Sequence, residues 1–131
     1  MPSSSKARTF AERIACVAKA VAHIGATKDR MVEELAHQMG RPVRYGGEFG
    51  GFEERATYMA SIAEEALAPL IIEDSDIFLR KIEREPVGTV LVVAPWNYPY
   101  MTAINTIAPA LIAGNTVVLK HASQTILVGE H

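Results

Sequence analysis

From Lys6 to Ile24 the large apolar residues Phe10, Ile14, Val17, Val21 and Ile24 recur at steps of three and four, with alanines between them. That period gathers them on one stripe of an amphipathic helix. Gly25 is placed to end the helix in the left-handed conformation, and Thr27 to cap the next one, whose residues Val32, Leu35, Ala36 and Met39 share a face. Gly40 and Pro42 stop that second helix. A glycine-rich run, Tyr45 to Gly51, follows. It comes after no strand, so it reads more readily as a flexible connection than as a phosphate cradle. A third helical pattern runs from about Phe52 to Leu67, with Phe52, Ala56, Met59, Ala63 and Ala66 or Leu67 on one side.

The period changes at Pro69. Leu70-Ile71-Ile72 and Ile77 to Ile82 flank the turn-forming Glu73-Asp74-Ser75-Asp76, which predicts a β-hairpin. Gly88 to Ala94 is apolar on both faces and β-branched, the pattern of a strand inside a parallel sheet. Pro99 suits the first turn of a helix carrying Tyr100, Ile104, Ile107, Ala108, Leu111 and Ile112, ended by Gly114-Asn115. Pro109 lies inside it, which predicts a kink near Thr106. Thr116 to Lys120 returns as a second strand, completing a βαβ unit, and a further helix is expected from Ser123 or Gln124.

Composition narrows the partners. Thirteen basic and fifteen acidic residues leave a formal charge of −2 with no basic cluster, which argues against nucleic acid. No apolar run approaches the ~18 residues of a membrane span, and the start lacks a signal-peptide core, so the expected location is the cytoplasm. The single cysteine, Cys16, excludes an intrachain disulfide. Its place in the first helix suggests a buried or half-buried small hydrophobe. His23 and His37 read as surface or boundary positions on helices, with no second metal ligand at helical spacing.

Ligands of open parallel sheets lie outside the carboxyl ends of the strands, which puts Pro95-Trp96-Asn97 and Lys120-His121 on one edge. An amide donor, a planar indole and a cation there suit an anionic nucleotide. A structural reading stands beside this one: Asn97 or Tyr98 as helix cap, Trp96 as anchor, Lys120 as a solvated strand end, His121 as a turn residue. No Gly-x-Gly-x-x-Gly follows the first strand, so generic dinucleotide recognition lacks its glycine loop.

Glu85-Pro86-Val87-Gly88 enters the first strand, Pro95-Trp96-Asn97 leaves it, and Pro109-Ala110-Leu111-Ile112-Ala113-Gly114-Asn115-Thr116-Val117-Val118-Leu119-Lys120 follows. In order and separation this set resembles the aldehyde dehydrogenase superfamily, strongly from Glu85 to about Thr125. The resemblance implies an incomplete α/β fold of N-terminal helices, a β-hairpin arm and the first βαβ unit of a Rossmann-like parallel sheet. It divides the chain into a helical part, 1–69, a hairpin oligomerisation arm, 70–86, and the start of the nucleotide-binding sheet, 87–131. It implies that Asn97 is the side-chain amide of an oxyanion hole. The backbone around Val93, Ala94, Pro95 and Trp96 would line a nicotinamide cofactor, and Lys120 would bond its adenosine ribose.

The same resemblance implies NAD(P)-dependent oxidation of an aldehyde to a carboxylic acid through a cysteine thiohemiacetal, in a homodimer or homotetramer. Many NAD-preferring members carry a glutamate where this chain has Ser123, which carries no charge to repel a 2′-phosphate. NADP is thus expected to be tolerated or preferred. The family's nucleophilic cysteine and general-base glutamate find no counterpart in these residues, and Cys16 does not replace the nucleophile. The expectation is an N-terminal part of such an enzyme, inactive alone. A non-catalytic interaction module and an acyl-CoA or acyl-phosphate reductase of the same superfamily are the rival readings.

Overall fold

In the computed structural model, residues 8–45 and 47–131 are described; residues 6 and 7 of the first expected helix, and Gly46, lie outside them. Helix α1 spans Phe10–Ala26 and opens with a reciprocal cap. The Glu12 N–H donates to the Thr9 hydroxyl at 3.3 Å, and the Thr9 N–H donates to the Glu12 carboxylate at 2.7 Å. Those Thr9 bonds hold the Glu12 carboxyl below its ordinary value.

The stop expected at Gly25 does not occur. Among the described glycines only Gly40, Gly88 and Gly114 have positive φ, and α1 runs on to Ala26. Thr27 does not cap α2, Lys28–Met39, with its side chain. Its hydroxyl donates backward to the Ile24 carbonyl at 3.0 Å, satisfying an acceptor at the end of α1 instead. Gly40, with φ 73°, ends α2 as expected.

Helix α3, Phe49–Leu67, starts three residues earlier than its pattern predicts, so Gly50 and Gly51 lie in a helical turn rather than a loose connection. Aromatic packing accounts for the difference. The Phe49 ring lies 6.4 Å from Phe52 and 5.1 Å from Tyr100, centroid to centroid, and its burial outweighs the entropy lost by ordering two glycines. Gly51 also admits a close neighbour: a β-carbon there would stand 2.7 Å from the Met101 sulfur.

The hairpin forms as expected, with β1, Leu70–Asp74, antiparallel to β2, Leu79–Ile82, and a register shift between Ile71 and Glu73. Ser75 closes the turn by accepting the Phe78 N–H at 3.1 Å on its hydroxyl.

Strands β3, Thr89–Val93, and β4, Thr116–Lys120, pair in parallel, from Thr89 opposite Thr116 to Val93 opposite Lys120. Helix α4, Pro99–Ile112, joins them and accommodates Pro109 within its span. The missing Pro109 donor is tolerated, and its carbonyl still accepts the Ala113 N–H at 2.9 Å. Burial of the sheet on both faces is met on one face only. Val92 is buried toward α4, whereas Leu91, Val93 and Val118, pointing the other way by the two-residue period, are exposed. No described element covers that face.

Gly114, φ 93°, turns the chain from α4 into β4, and a β-carbon on it would lie 3.1 Å from Pro86 Cγ. Gly114→Ala is expected to cost about 1–2 kcal/mol, the left-handed penalty of an L-residue. Urea unfolding followed by circular dichroism measures it, and an unchanged midpoint would mean the turn relaxes freely.

The core lies where α1, α2 and α3 meet α4, around Val17, Leu35, Phe52, Ala56, Ile104 and Ile112. Past β4, a 3-10 segment, Ser123–Glu130, replaces the α-helix expected there. It is broken at Thr125, whose φ of −123° and ψ of 47° are not helical. Cys16, expected to be at least half-buried, is exposed: it stands one residue off the Ile14–Val17–Val21 stripe, and the Arg8 guanidinium donates to its sulfur at 3.2 Å. His23 and His37 are exposed, as expected. No described helix is long and apolar enough to cross a membrane, and no cluster of three potential metal ligands occurs among the described residues.

Candidate functional site

The parallel register brings the two strand exits together. Val93 is opposite Lys120, and the Ala94 N–H donates to the Lys120 carbonyl at 3.0 Å, extending the ladder one bond past β3. Ala94 is buried and Pro95 half-buried; Trp96, Asn97 and Tyr98 are exposed; Pro99 and Tyr100 are buried again. The sequence of apolar anchor, exposed crest and apolar anchor follows from the chain itself. Val92 and Ala94 are buried, the two prolines restrict the turn, and Tyr100 joins the Phe49–Phe52 cluster.

Tyr98, one of the two expected caps, is the N-cap residue of α4, with φ −142° and ψ 66°, but neither it nor Asn97 gives a side-chain capping bond. The Asn97 side-chain amide makes no hydrogen bond within the described residues. The orphan donors of α4 are satisfied from another part of the chain: the buried Glu48 carboxylate, just before α3, accepts the Met101 N–H at 2.8 Å and also interacts with the Tyr100 N–H.

Arg41, just after α2, completes this arrangement. One of its guanidinium nitrogens is 3.9 Å from Glu48 Oε1, another donates to the Asn97 carbonyl oxygen, and the guanidinium carbon lies 4.4 Å from the centre of the Tyr98 ring. Burial pushes the Glu48 carboxyl above its ordinary value, opposed by the Met101 and Tyr100 amides and by Arg41. Burial likewise raises the Tyr100 hydroxyl, with Glu34 and Glu48 adding to the shift. The sequence reading missed Arg41 and Glu48. The available signal was indirect: a helix starting at Tyr98-Pro99 has no Ser, Thr or Asp at its cap and must borrow an acceptor.

At the other exit Lys120 is exposed and forms no ion pair with any described residue. Ser123 is exposed in the 3-10 segment. The His121 ring is half-buried against Gly129, and its Nδ1 is buried without a described partner. Neither stretch, 93–100 or 120–125, contains a carboxylate. An unpaired cation, a serine hydroxyl, an exposed indole face and a free amide donor on one sheet edge form a donor-rich, anion-compatible surface. Those residues fit a nucleotide better than a metal.

Residues 3–131 match the sequence model of the Aldehyde dehydrogenase family. Among curated relatives, Aldehyde dehydrogenase 1A1 of Mus musculus is 40% identical over 66% of this chain and 17% of its own length. D-glyceraldehyde dehydrogenase (NADP(+)) of Picrophilus torridus is 32% identical over 93% of this chain and 25% of its own. Among solved structures, the NADP-dependent glyceraldehyde-3-phosphate dehydrogenase from Bacillus halodurans, complexed with NADP, superimposes with a TM-score of 0.84 at 32% identity, over 95% of this chain and 28% of that one. The chain thus spans about a quarter or less of the curated relatives it matches. With the family match covering nearly its whole length, the chain belongs to the aldehyde dehydrogenase family.

Proposed function

We propose that this chain supplies the dinucleotide-facing strand edge and the oxyanion donor of an NAD(P)-dependent enzyme that oxidises an aldehyde to a carboxylic acid. The observation that carries the reading is the juxtaposition of two strand exits, one ending in an exposed Asn97 amide and the other in an exposed, unpaired Lys120. Lys120 and Ser123 would hold the ribose end of the cofactor, and the backbone from Val93 to Trp96 would face its nicotinamide. When bound, the cofactor accepts the hydride removed from the substrate. Asn97 donates its amide N–H to the aldehyde oxygen as negative charge develops there.

In this reading residues 1–69 are the helical support, 70–86 an arm and 87–131 the opening of the nucleotide-binding sheet. The arm presents exposed Ile72, Ile77, Phe78 and Leu79, apolar surface suited to a second copy of the protein, in a dimer or tetramer. The test is aldehyde-dependent reduction of NADP or NAD by the natural gene product, with and without Asn97→Ala.

Cofactor choice gives a separate result. Ser123→Glu should raise the KM for NADP on the order of tenfold relative to NAD, a repulsion of about 1.4 kcal/mol between carboxylate and 2′-phosphate. Equal KM changes for the two cofactors would remove Ser123 from the ribose site.

A further inference from the structure

We propose that Arg41 and Glu48 act as a positioning pair, holding the Trp96-Asn97-Tyr98 crest in the one orientation from which the Asn97 amide can serve the site; the catalytic part of this inference rests on the role given to Asn97 above. The pair reaches the crest and the first turn of α4 at four residues. Arg41 binds the Asn97 carbonyl and stacks on Tyr98, and Glu48 engages the N–H groups at Tyr100 and Met101. Only Pro99 lies between these contacts, and it is itself buried.

The geometry exceeds that of a simple ion pair. At 3.9 Å the Arg41–Glu48 contact is long, and with the Glu48 side chain fully buried the cost of desolvation offsets much of its attraction. What distinguishes it is that each partner also reaches backbone flanking Asn97: Arg41 donates to the Asn97 carbonyl, and Glu48 accepts the Met101 N–H on Oε2 while its Oε1 is buried facing Arg41. A planar guanidinium can stack on a ring and donate in two directions at once, and a lysine ammonium cannot reproduce that. Fixing the carbonyl of Asn97 fixes the peptide from which its side chain projects. Small misplacements of a catalytic donor cost disproportionately in rate.

Two readouts test the pair. In the 131-residue chain Trp96 is the only tryptophan and adjoins Asn97, so its acrylamide quenching reports the order of the crest. Arg41→Met should raise quenching at temperatures well below the melting transition, and Arg41→Lys should restore little of the protection. Glu48→Gln, which keeps an acceptor for Met101 but loses the charge facing Arg41, gives the same readout if Arg41→Met does not fold. Unchanged quenching in the folded variants overturns the proposal.

In the natural gene product, Arg41→Met should lower kcat on the order of 10- to 100-fold with little change in the KM for the dinucleotide. Added to Asn97→Ala, it should lower kcat little further, because both act through one donor. Fully additive losses would show that Arg41 does not act through Asn97 and overturn the catalytic part. If Asn97→Ala alone leaves kcat intact, the oxyanion assignment falls, whereas the quenching result still decides whether the pair orders the crest.

Discussion

Asn97→Ala should lower kcat for aldehyde oxidation by the natural gene product on the order of 100-fold or more, the usual cost of removing one oxyanion donor. The KM for the dinucleotide should barely move, because the substituted amide serves the aldehyde oxygen and not the cofactor. The physical case rests on what the side chain does not do. The Asn97 side chain is exposed, caps no helix and bonds no described residue, and the bond from Arg41 goes to its backbone carbonyl, so truncating the side chain takes away little that holds the fold. Thermal melts of the variant should therefore overlay the parent's. An equal loss in kcat and melting temperature would point to a structural role, and an unchanged kcat would reject the oxyanion assignment.

Ile112→Ala should destabilise the chain by about 2–5 kcal/mol, the range for truncating a fully buried branched side chain. Ile112 is 0% exposed at the end of α4, and its carbonyl accepts the Arg13 guanidinium N–H at 2.7 Å, tying α1 to the same point. A cleft of about 120 Å³ lined by Met59, Ala63 and Leu67 already adjoins it, so truncation enlarges an existing void. Urea unfolding measures the loss. A change below about 1 kcal/mol would show that α3 and α4 close over the gap.

These two residues also mark what the sequence does and does not reveal. Ile112 falls on the helical period of α4, and the same counting places Val17, Val21, Leu35, Phe52 and Ala56 in the core. The hairpin, the βαβ unit and the common edge shared by Asn97 and Lys120 follow from local signals, because period, turn residues and strand ends are written in neighbouring positions. What escaped depends on distant partners. Phe49-Gly50-Gly51 reads as a loop until Tyr100 packs on Phe49, and Gly25 reads as a stop until Thr27 bonds back to Ile24. The exposure of Leu91 and Val93 follows from which elements lie beside β3, which no strand states about itself. Glu48, amid glycines, gains its meaning only from donors in α4.

The link between Arg41 and Asn97 spans 56 positions, and that between Glu48 and Met101 spans 53. Hairpin and βαβ unit close through much shorter loops, so they can form while the segment between α2 and α3 is still unanchored. Shorter closure favours forming the strands that carry the crest before a distant part of the chain docks against it, an order tested by comparing Trp96 fluorescence with circular dichroism during refolding. A chain with its sheet in place is therefore not yet a chain with its site in place, and slow docking of that segment would delay activity without delaying secondary structure.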